Sequence, residues 1–204
     1  MLFSDTYRTI NLPSVGTYKD RGSKFLSFAY PVSKEEEVKD HLNRLRTEHG
    51  KANHFCWALR VGADRTMFKL NDDGEPSGTA GRPILNTLLS ADLTNILIVV
   101  VRYFGGTLLG VPGLINAYKA AALDAVQAAG IVERTTNDSY LLEFNYLQLN
   151  EVMKILKEEN LKISNQEYDN TCSLEVSIRQ SQTNQIIGKL EKVEQIKIKY
   201  LQSS

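Results

Sequence analysis

Ile96, Leu97, Ile98, Val99, Val100 and Val101 form an unbroken apolar run rich in β-branched residues, and no other stretch limits the fold of this chain so strongly. A half-exposed strand alternates apolar with polar residues. A run apolar at every position suits a central strand buried on both faces. Arg102 ends the run and opens a glycine-punctuated segment, RYFGGTLLGVPG at 102–113, and a comparable segment, DDGEPSGTAGRP, occupies 72–83. Each feeds an apolar pattern at helical spacing: Ile84, Leu85, Leu88 and Leu89 after the first, Leu114 through Ala129 after the second. Glycine, acid and base packed this closely mark places where the backbone approaches something, a ligand or another part of the chain.

The remaining pattern alternates strands and helices. Residues 14–32 read as two strands around a turn at 20–23, and 34–49 as a helix with Val38, Leu42 and Leu45 on one stripe and acids in its first turn. Phe55, Trp57, Leu59 and Val61 alternate with His54, Cys56, Ala58 and Arg60, which predicts a strand with one buried face, paired with 66–70. In the helix after the second glycine segment, Ala117, Ala121, Ala122 and Ala125 allow close approach to a sheet, with Pro112 suited to its first turn and Gly130 to its end. From 137 onward the order becomes strand (140–146), helix (149–156), strand (161–168), strand (171–179), helix (186–193) and strand (196–200). That βαββαβ order is the split-βαβ or ferredoxin-like plan. The polar string ERTTND at 133–138 interrupts the periodicity and places a boundary there, so we expect an α+β chain of two domains, 1–134 and 135–204.

Composition removes several partners. Twenty-four basic residues balance 24 acidic ones, so no global field announces a nucleic acid, and any such surface must be a local patch. The start, MLFSDTYRTI, lacks the basic and apolar regions of a signal peptide, and no run is long enough to span a membrane, so no membrane partner and a cytoplasmic location are expected. Cys56 and Cys172 belong to no C-x-x-C pair, which suits a reducing compartment.

The candidate site lies in the two glycine segments. Asp72, Asp73 and Glu75 are dense enough in carboxylate for a cation or for acid–base work; Asp-Asp-Gly is also a common turn, and the spacing misses the calcium-loop pattern, so neither metal nor cofactor is expected. Ser77, Gly78, Thr79, Ala80 and Gly81 offer free amides where a helix begins, either for an anion or for ordinary capping by Ser77 or Thr79. Gly105, Gly106 and Gly110 match neither G-x-G-x-x-G nor G-K-[ST]. Arg102 and Tyr103 end a buried strand, where open α/β sheets present ligand contacts, and Arg102 has the alternative of an ion pair with Asp72, Asp73 or Glu75. His54 shares a strand face with Cys56, which suggests a metal or thiol–imidazole pair, but a lone His-x-Cys lacks further ligands and a structural role is the plainer reading. Lys24, Arg82 and Lys119 are candidates to bring positive charge to the same loops.

With these residues in view the chain resembles the IMPACT family, in its bacterial two-domain YigZ-like branch. The matching stretches are GSKF at 22–25, KANHFCWA at 51–58, DDGEPSGTAGRPIL at 72–85 and VVVRYFGGTLLGVPGLINAY at 99–118. Val111-Pro112-Gly113 departs from the small residue and two glycines found in many relatives. The resemblance implies a first domain like domain 2 of ribosomal protein S5 and a ferredoxin-like second domain like the last domain of elongation factor G. It also implies a role in translation. Eukaryotic relatives compete for the co-activator of the kinase that modifies initiation factor 2 and use an additional N-terminal RWD domain; this sequence begins directly in the shared domain, so only a general role in translation control, through RNA or ribosome contact, is expected to transfer. No catalytic residue comes with the resemblance. The alternatives are an enzyme acting on a phosphorylated small molecule and an adaptor that grips a protein partner.

Overall fold

The computed structural model describes residues 5–203; residues 1–4, which include the start of the segment read for a leader, and residue 204 lie outside them. The chain divides into two compact units, one formed by 7–134 and the other by 135–203 together with residues 5–6.

The first unit is built on an antiparallel sheet in the order β2-β3-β6-β4-β5, with β2 at Ser14–Asp20, β3 at Ser23–Pro31, β4 at His54–Val61, β5 at Met67–Asn71 and β6 at Ile96–Tyr103. The apolar run holds the central place, and every β6 residue from Ile96 to Arg102 is buried. Its alternate side chains serve two cores. Ile96, Ile98 and Val100 pack with Phe25, Cys56 and Ala58 under helices α2 (Gly81–Ser90) and α3 (Gly110–Ala129), whereas Leu97, Val99 and Val101 pack with Phe55 and Leu59 under α1 (Glu37–Glu48). Each such aliphatic contributes about 1.5–3 kcal/mol by leaving water. Two cores on one strand explain why β6 shows no alternation.

They also correct the reading of β4. Its His54, Cys56, Ala58 and Arg60 face the α2 and α3 layer, so both faces are covered; Arg60 is buried and donates to the carbonyls of Leu93 and Arg65. The helix expected over 34–49 begins three positions later, because Glu37 accepts from the amides of Ser33 and Lys34 and closes the turn before it. The turn expected at 20–23 is a two-residue hairpin with positive φ at Arg21 and Gly22, as a type I′ turn requires.

Helix α3 lies close on β2 and β3 through its alanine face, and the approach is closest at Gly16, where an added Cβ would sit 2.4 Å from the Ala125 amide nitrogen. Residues 133–135, expected as part of a boundary string, form strand instead: β7 (Ile131–Thr135) pairs with β1 (Thr6–Ile10), and the alternation of that short pair is too brief to stand out in the sequence.

The second unit has strands β8 (Asn137–Asn145), β9 (Lys162–Glu167), β10 (Thr171–Arg179) and β11 (Lys197–Ser203) in the antiparallel order β11-β8-β10-β9. Helices α4 (Leu149–Glu158) and α5 (Thr183–Leu190) cover one face around Leu142, Phe144, Leu174, Val176 and Ile178. Asp5 joins this unit as a bidentate acceptor from Arg179, at 2.6 and 2.9 Å, and Arg179 with Ser181 holds its carboxyl far below the usual range. No helix among the described residues is long and apolar enough to cross a membrane.

Gly16→Ala is expected to destabilise the first unit by about 1–3 kcal/mol in denaturant titration, since backbone must move, while Gly188→Ala in α5, with open space around it, is expected to stabilise the second by about 0.8–1 kcal/mol. Because folding depresses the Asp5 pKa, its contribution is complete above the ordinary aspartate value of about 3.9 and is lost as pH falls below it. The stability gap between wild type and Asp5→Asn, read from circular dichroism melts, should therefore close on acidification.

Candidate functional site

The 72–83 segment begins as a turn whose central residues Asp73 and Gly74 both have positive φ, 42° and 87°, and which is closed by the Glu75 amide donating to the Asp72 carbonyl. That geometry sends its three carboxylates to three destinations. The Asp72 carboxylate accepts from the amides of Gly78 (2.9 Å), Ala80 (3.0 Å) and Gly81 (2.8 Å). Asp73 accepts from the Phe55 amide at 2.7 Å and pairs with Arg46. Glu75 turns inward. Among the described residues no group of three His, Cys, Asp or Glu side chains is placed to hold a metal.

The amides read as an anion site at the start of α2 are thus already occupied by an anion, the chain's own Asp72, which uses the positive end of the helix as a bound phosphate would. Capping by Ser77 or Thr79 is corrected by the same bonds. Thr79 is buried and its hydroxyl donates back to the Pro76 carbonyl at 2.6 Å; Ser77 is exposed, as is Arg82 in the first turn of α2. A side chain eight or nine positions upstream leaves no local spacing signal, which is why the sequence points to the nearer hydroxyls.

Glu75 meets Arg102 at the end of β6. Arg102 Nη1 lies 2.6 Å from Glu75 Oε1, with both side chains about 95% removed from solvent. Around them the Tyr118 hydroxyl donates to Glu75 at 2.7 Å, the Cys56 thiol lies 3.3 Å from Tyr118 Oη and 3.0 Å from the Asp72 carbonyl, and Arg102 Nη2 reaches Ser23 Oγ at 3.5 Å. The guanidinium carbon is 5.4 Å from the Phe25 ring centre and 5.6 Å from that of Phe104, and Arg102 Nε is buried with no hydrogen-bond partner among the described residues. Burial pushes the Cys56 thiol and the Tyr118 phenol well above their ordinary ranges, Tyr118 further through the neighbouring thiol and Glu75. The thiol is therefore protonated and unreactive at neutral pH.

His54 does not reach Cys56. Its Nδ1 is 2.9 Å from the Asp73 carbonyl, which can only accept, so Nδ1 carries the proton and Nε2 faces Glu75 at 3.9 Å. Tyr118 and Ser23 complete the cluster with Cys56, and neither of the two was among the site candidates. Tyr118 carried one signal, a large polar-tipped ring on a helix face otherwise lined with alanine.

The second glycine segment approaches its own chain. A Cβ on Gly105 would lie 1.9 Å from the Gly22 carbonyl carbon, so the two backbones cross in contact, and Ser23 Oγ accepts from the Gly105 amide. Beyond the crossing, Gly106 and Gly110 have positive φ, and the chain stays at the surface through Leu108 before Leu109 enters the core ahead of α3. Pro112 stands in the first turn of α3, where no amide is needed.

Two further expectations are corrected by strand alternation. The sheet is antiparallel throughout, so the rule for the ends of parallel strands does not apply to Arg102. Tyr103 points to the α1 face, opposite to Arg102, where its hydroxyl meets His49 at 2.8 Å, and Lys24, its direct neighbour on β3, shares that face. Lys24 therefore lies across the sheet from Glu75. Lys119 is exposed on α3.

Arg102→Ala or Glu75→Ala leaves an unpaired buried charge and is expected to cost about 3–5 kcal/mol, against about 1–2 kcal/mol for Tyr118→Phe. Trp57, the single tryptophan, lies in the first unit and reports its unfolding by fluorescence.

Comparison with known proteins places these residues in a family. A family model described as "Impact N-terminal domain" matches residues 21–126. The chain is 33% identical to the IMPACT family member YvyE of Bacillus subtilis over 162 residues, 79% of this chain and 75% of the relative. It is 34% identical to the IMPACT family member YigZ of Escherichia coli over 170 residues, 82% and 83% of the two chains. A solved structure described only as a hypothetical protein superposes on 98% of this chain and 99% of its own, at 28% identity and a TM-score of 0.75. The chain belongs to the IMPACT family.

Proposed function

We propose that this chain takes part in translation control by contacting RNA or the ribosome, with the 104–113 segment as its contact. The observation that carries this reading is the division of labour between the glycine segments. The acids at 72–75 are spent on the chain's own amides, on Arg46 and on Arg102, whereas the second segment leaves Phe104, Gly105, Gly106, Thr107 and Leu108 exposed. It leads into α3, which starts without a side-chain cap and without an acid in its first turn, so its amides and positive end are available to phosphate. Arg82 and Lys119 are exposed and, among the described residues, have no ion-pair partner. Family resemblance to regulators of translation supports the same direction.

We read the second unit as ferredoxin-like and the first as S5 domain 2-like. The order β11-β8-β10-β9 with both helices on one face supports the former. An enzyme acting on a phosphorylated molecule loses its motivation, since the anion donors hold Asp72 and Glu75 is closed in by Arg102 and Tyr118. An adaptor role keeps one observation in its favour, the exposed apolar residues Leu108 (82%), Val111 (52%) and Phe104 (45%).

Co-sedimentation with ribosomes separates the two. Binding should fall steeply with added salt, and Leu108→Glu, a change at an exposed position, should weaken it about tenfold without lowering Tm. Retention independent of salt, or pull-down of a single protein from nuclease-treated lysate, would replace RNA contact by the adaptor role.

A further inference from the structure

The α1 face of the first sheet is covered over β4 and β6 and open over β2 and β3. Val38, Leu42 and Leu45 seat α1 on Phe55, Leu59, Leu97, Val99 and Val101, whereas Val15, Thr17, Lys19 and Lys24 on the outer strands are exposed, with Leu26 and Phe28 half-buried among them. The register sets these in rows: Val15 beside Phe28 and Thr17 beside Leu26, then Lys19 beside Lys24 and Lys24 beside Tyr103.

Two properties of this floor are unusual for a surface with no partner. The first is charge. Lys19 and Lys24 stand directly opposite each other on adjacent strands, an arrangement that destabilises a sheet, and among the described residues neither has an ion-pair partner. Arg21 is exposed in the turn between them, and Asp20, the nearest acid in sequence, pairs with Ser23 on the other face. Arg44 adds a cation at the α1 edge, where among the described residues Glu48 alone pairs with it, at 3.8 Å with both side chains about half exposed.

The second property is a continuous string of rings along the step between β3 and α1. His41 stacks on Tyr30 at 4.1 Å between centres and 15° between planes, Tyr30 lies parallel to Phe28 at 6.4 Å, Phe28 meets His49 at 5.4 Å, and His49 meets Tyr103. The hydrogen bond between His49 and Tyr103 and the seat of Arg44 over Tyr30 hold the wall of this step in place. Flat rings beside unpaired cations, on an open shallow face, are what single strands use: phosphates take the cations, and every base has a π-face that stacks irrespective of sequence.

We propose that this open sheet face binds single-stranded RNA, with Lys19 and Lys24 on the phosphates and Phe28, His49 and Tyr103 offering ring faces to the bases. The face ends at Tyr103, one residue before the 104–113 segment; it rests on the RNA reading of that segment and adds the part that holds bases. It also gives a place to Lys24 and Tyr103, which the sheet separates from Glu75.

The test is fluorescence anisotropy of a labelled mixed-sequence single-stranded RNA of about 12 nucleotides with the full chain, comparing wild type, Lys19→Gln/Lys24→Gln and Phe28→Leu. The double variant is expected to bind at least about tenfold more weakly, with a salt slope shallower by about 1.4, and to melt no lower than wild type because it relieves the lysine repulsion. Phe28→Leu keeps the apolar packing and should lose about tenfold in affinity with the salt slope unchanged. RNA carrying 4-thiouridine should photo-crosslink to peptides from β3 and the end of β6. Wild-type binding that both variants retain, or crosslinks confined to 105–113, would overturn the sheet face and leave the RNA reading standing. No binding of RNA by wild type would overturn both, and a protein partner lost with Lys19→Gln/Lys24→Gln in the absence of RNA binding would make the face a protein dock.

Discussion

Burying Glu75 against Arg102 is the constraint around which the first unit is arranged. Each charge loses several kcal/mol of hydration on burial, and their attraction offsets that only when further hydrogen bonds and close packing surround the pair. The surroundings are drawn from several parts of the unit: Ser23 and Phe25 from β3, Cys56 from β4, Tyr118 from α3 and Phe104 from the loop that follows β6. Glu75 cannot reach that position without the tight turn at Asp73 and Gly74. The turn in turn delivers Asp72 to the start of α2. One ion pair thus ties the first glycine segment, the central strand and two helices into a single arrangement.

The close contact between Gly22 and Gly105 belongs to the same arrangement. Arg102 lies on the central strand, and the chain leaving it must pass over the β2–β3 turn to reach α3. With side chains at either position the crossing would be blocked, and Ser23, one residue along, could not serve both Arg102 and the Gly105 amide. Gly105 therefore serves approach of the chain to itself, whereas Gly78 and Gly106, with open space around them, serve backbone of positive φ.

Periodicity made the layers legible. The β6 run announced a strand with two cores, and alternation in β8 and β10 with the stripes of α4 and α5 announced the second unit. What stayed hidden was long-range. Nothing near Gly78 or Gly81 indicates that their amides belong to Asp72, and nothing near Glu75 distinguishes Arg102 as its partner from solvent or a ligand. The β1–β7 pair was missed because five-residue strands without a sustained apolar alternation look like linker. Among the candidate residues, Arg102 and Glu75 meet in one cluster with His54 beside Glu75, and Asp72 touches it through its carbonyl at Cys56. Lys24 and Tyr103 do not, because a strand sends neighbouring side chains to opposite faces, and grouping residues by closeness in sequence ignores that.

That alternation also divides the meaning of the stretch from Val101 to Gly105. Val101 fills the core under α1, Arg102 turns to the other side and is sealed, Tyr103 returns to the α1 face beside Lys24, Phe104 reaches the surface while its ring flanks Arg102, and Gly105 makes the crossing. A recognisable string of residues here does not amount to one site. Its inward members satisfy a buried charge, and a stability loss is the natural result of changing them. Its outward members are held more loosely: Tyr103 is half-buried beside His49, and Phe104, whose amide donates to Asn53, is exposed. Function is better sought in the outward set, and the open sheet beside it carries the unpaired charge that an anionic partner would neutralise.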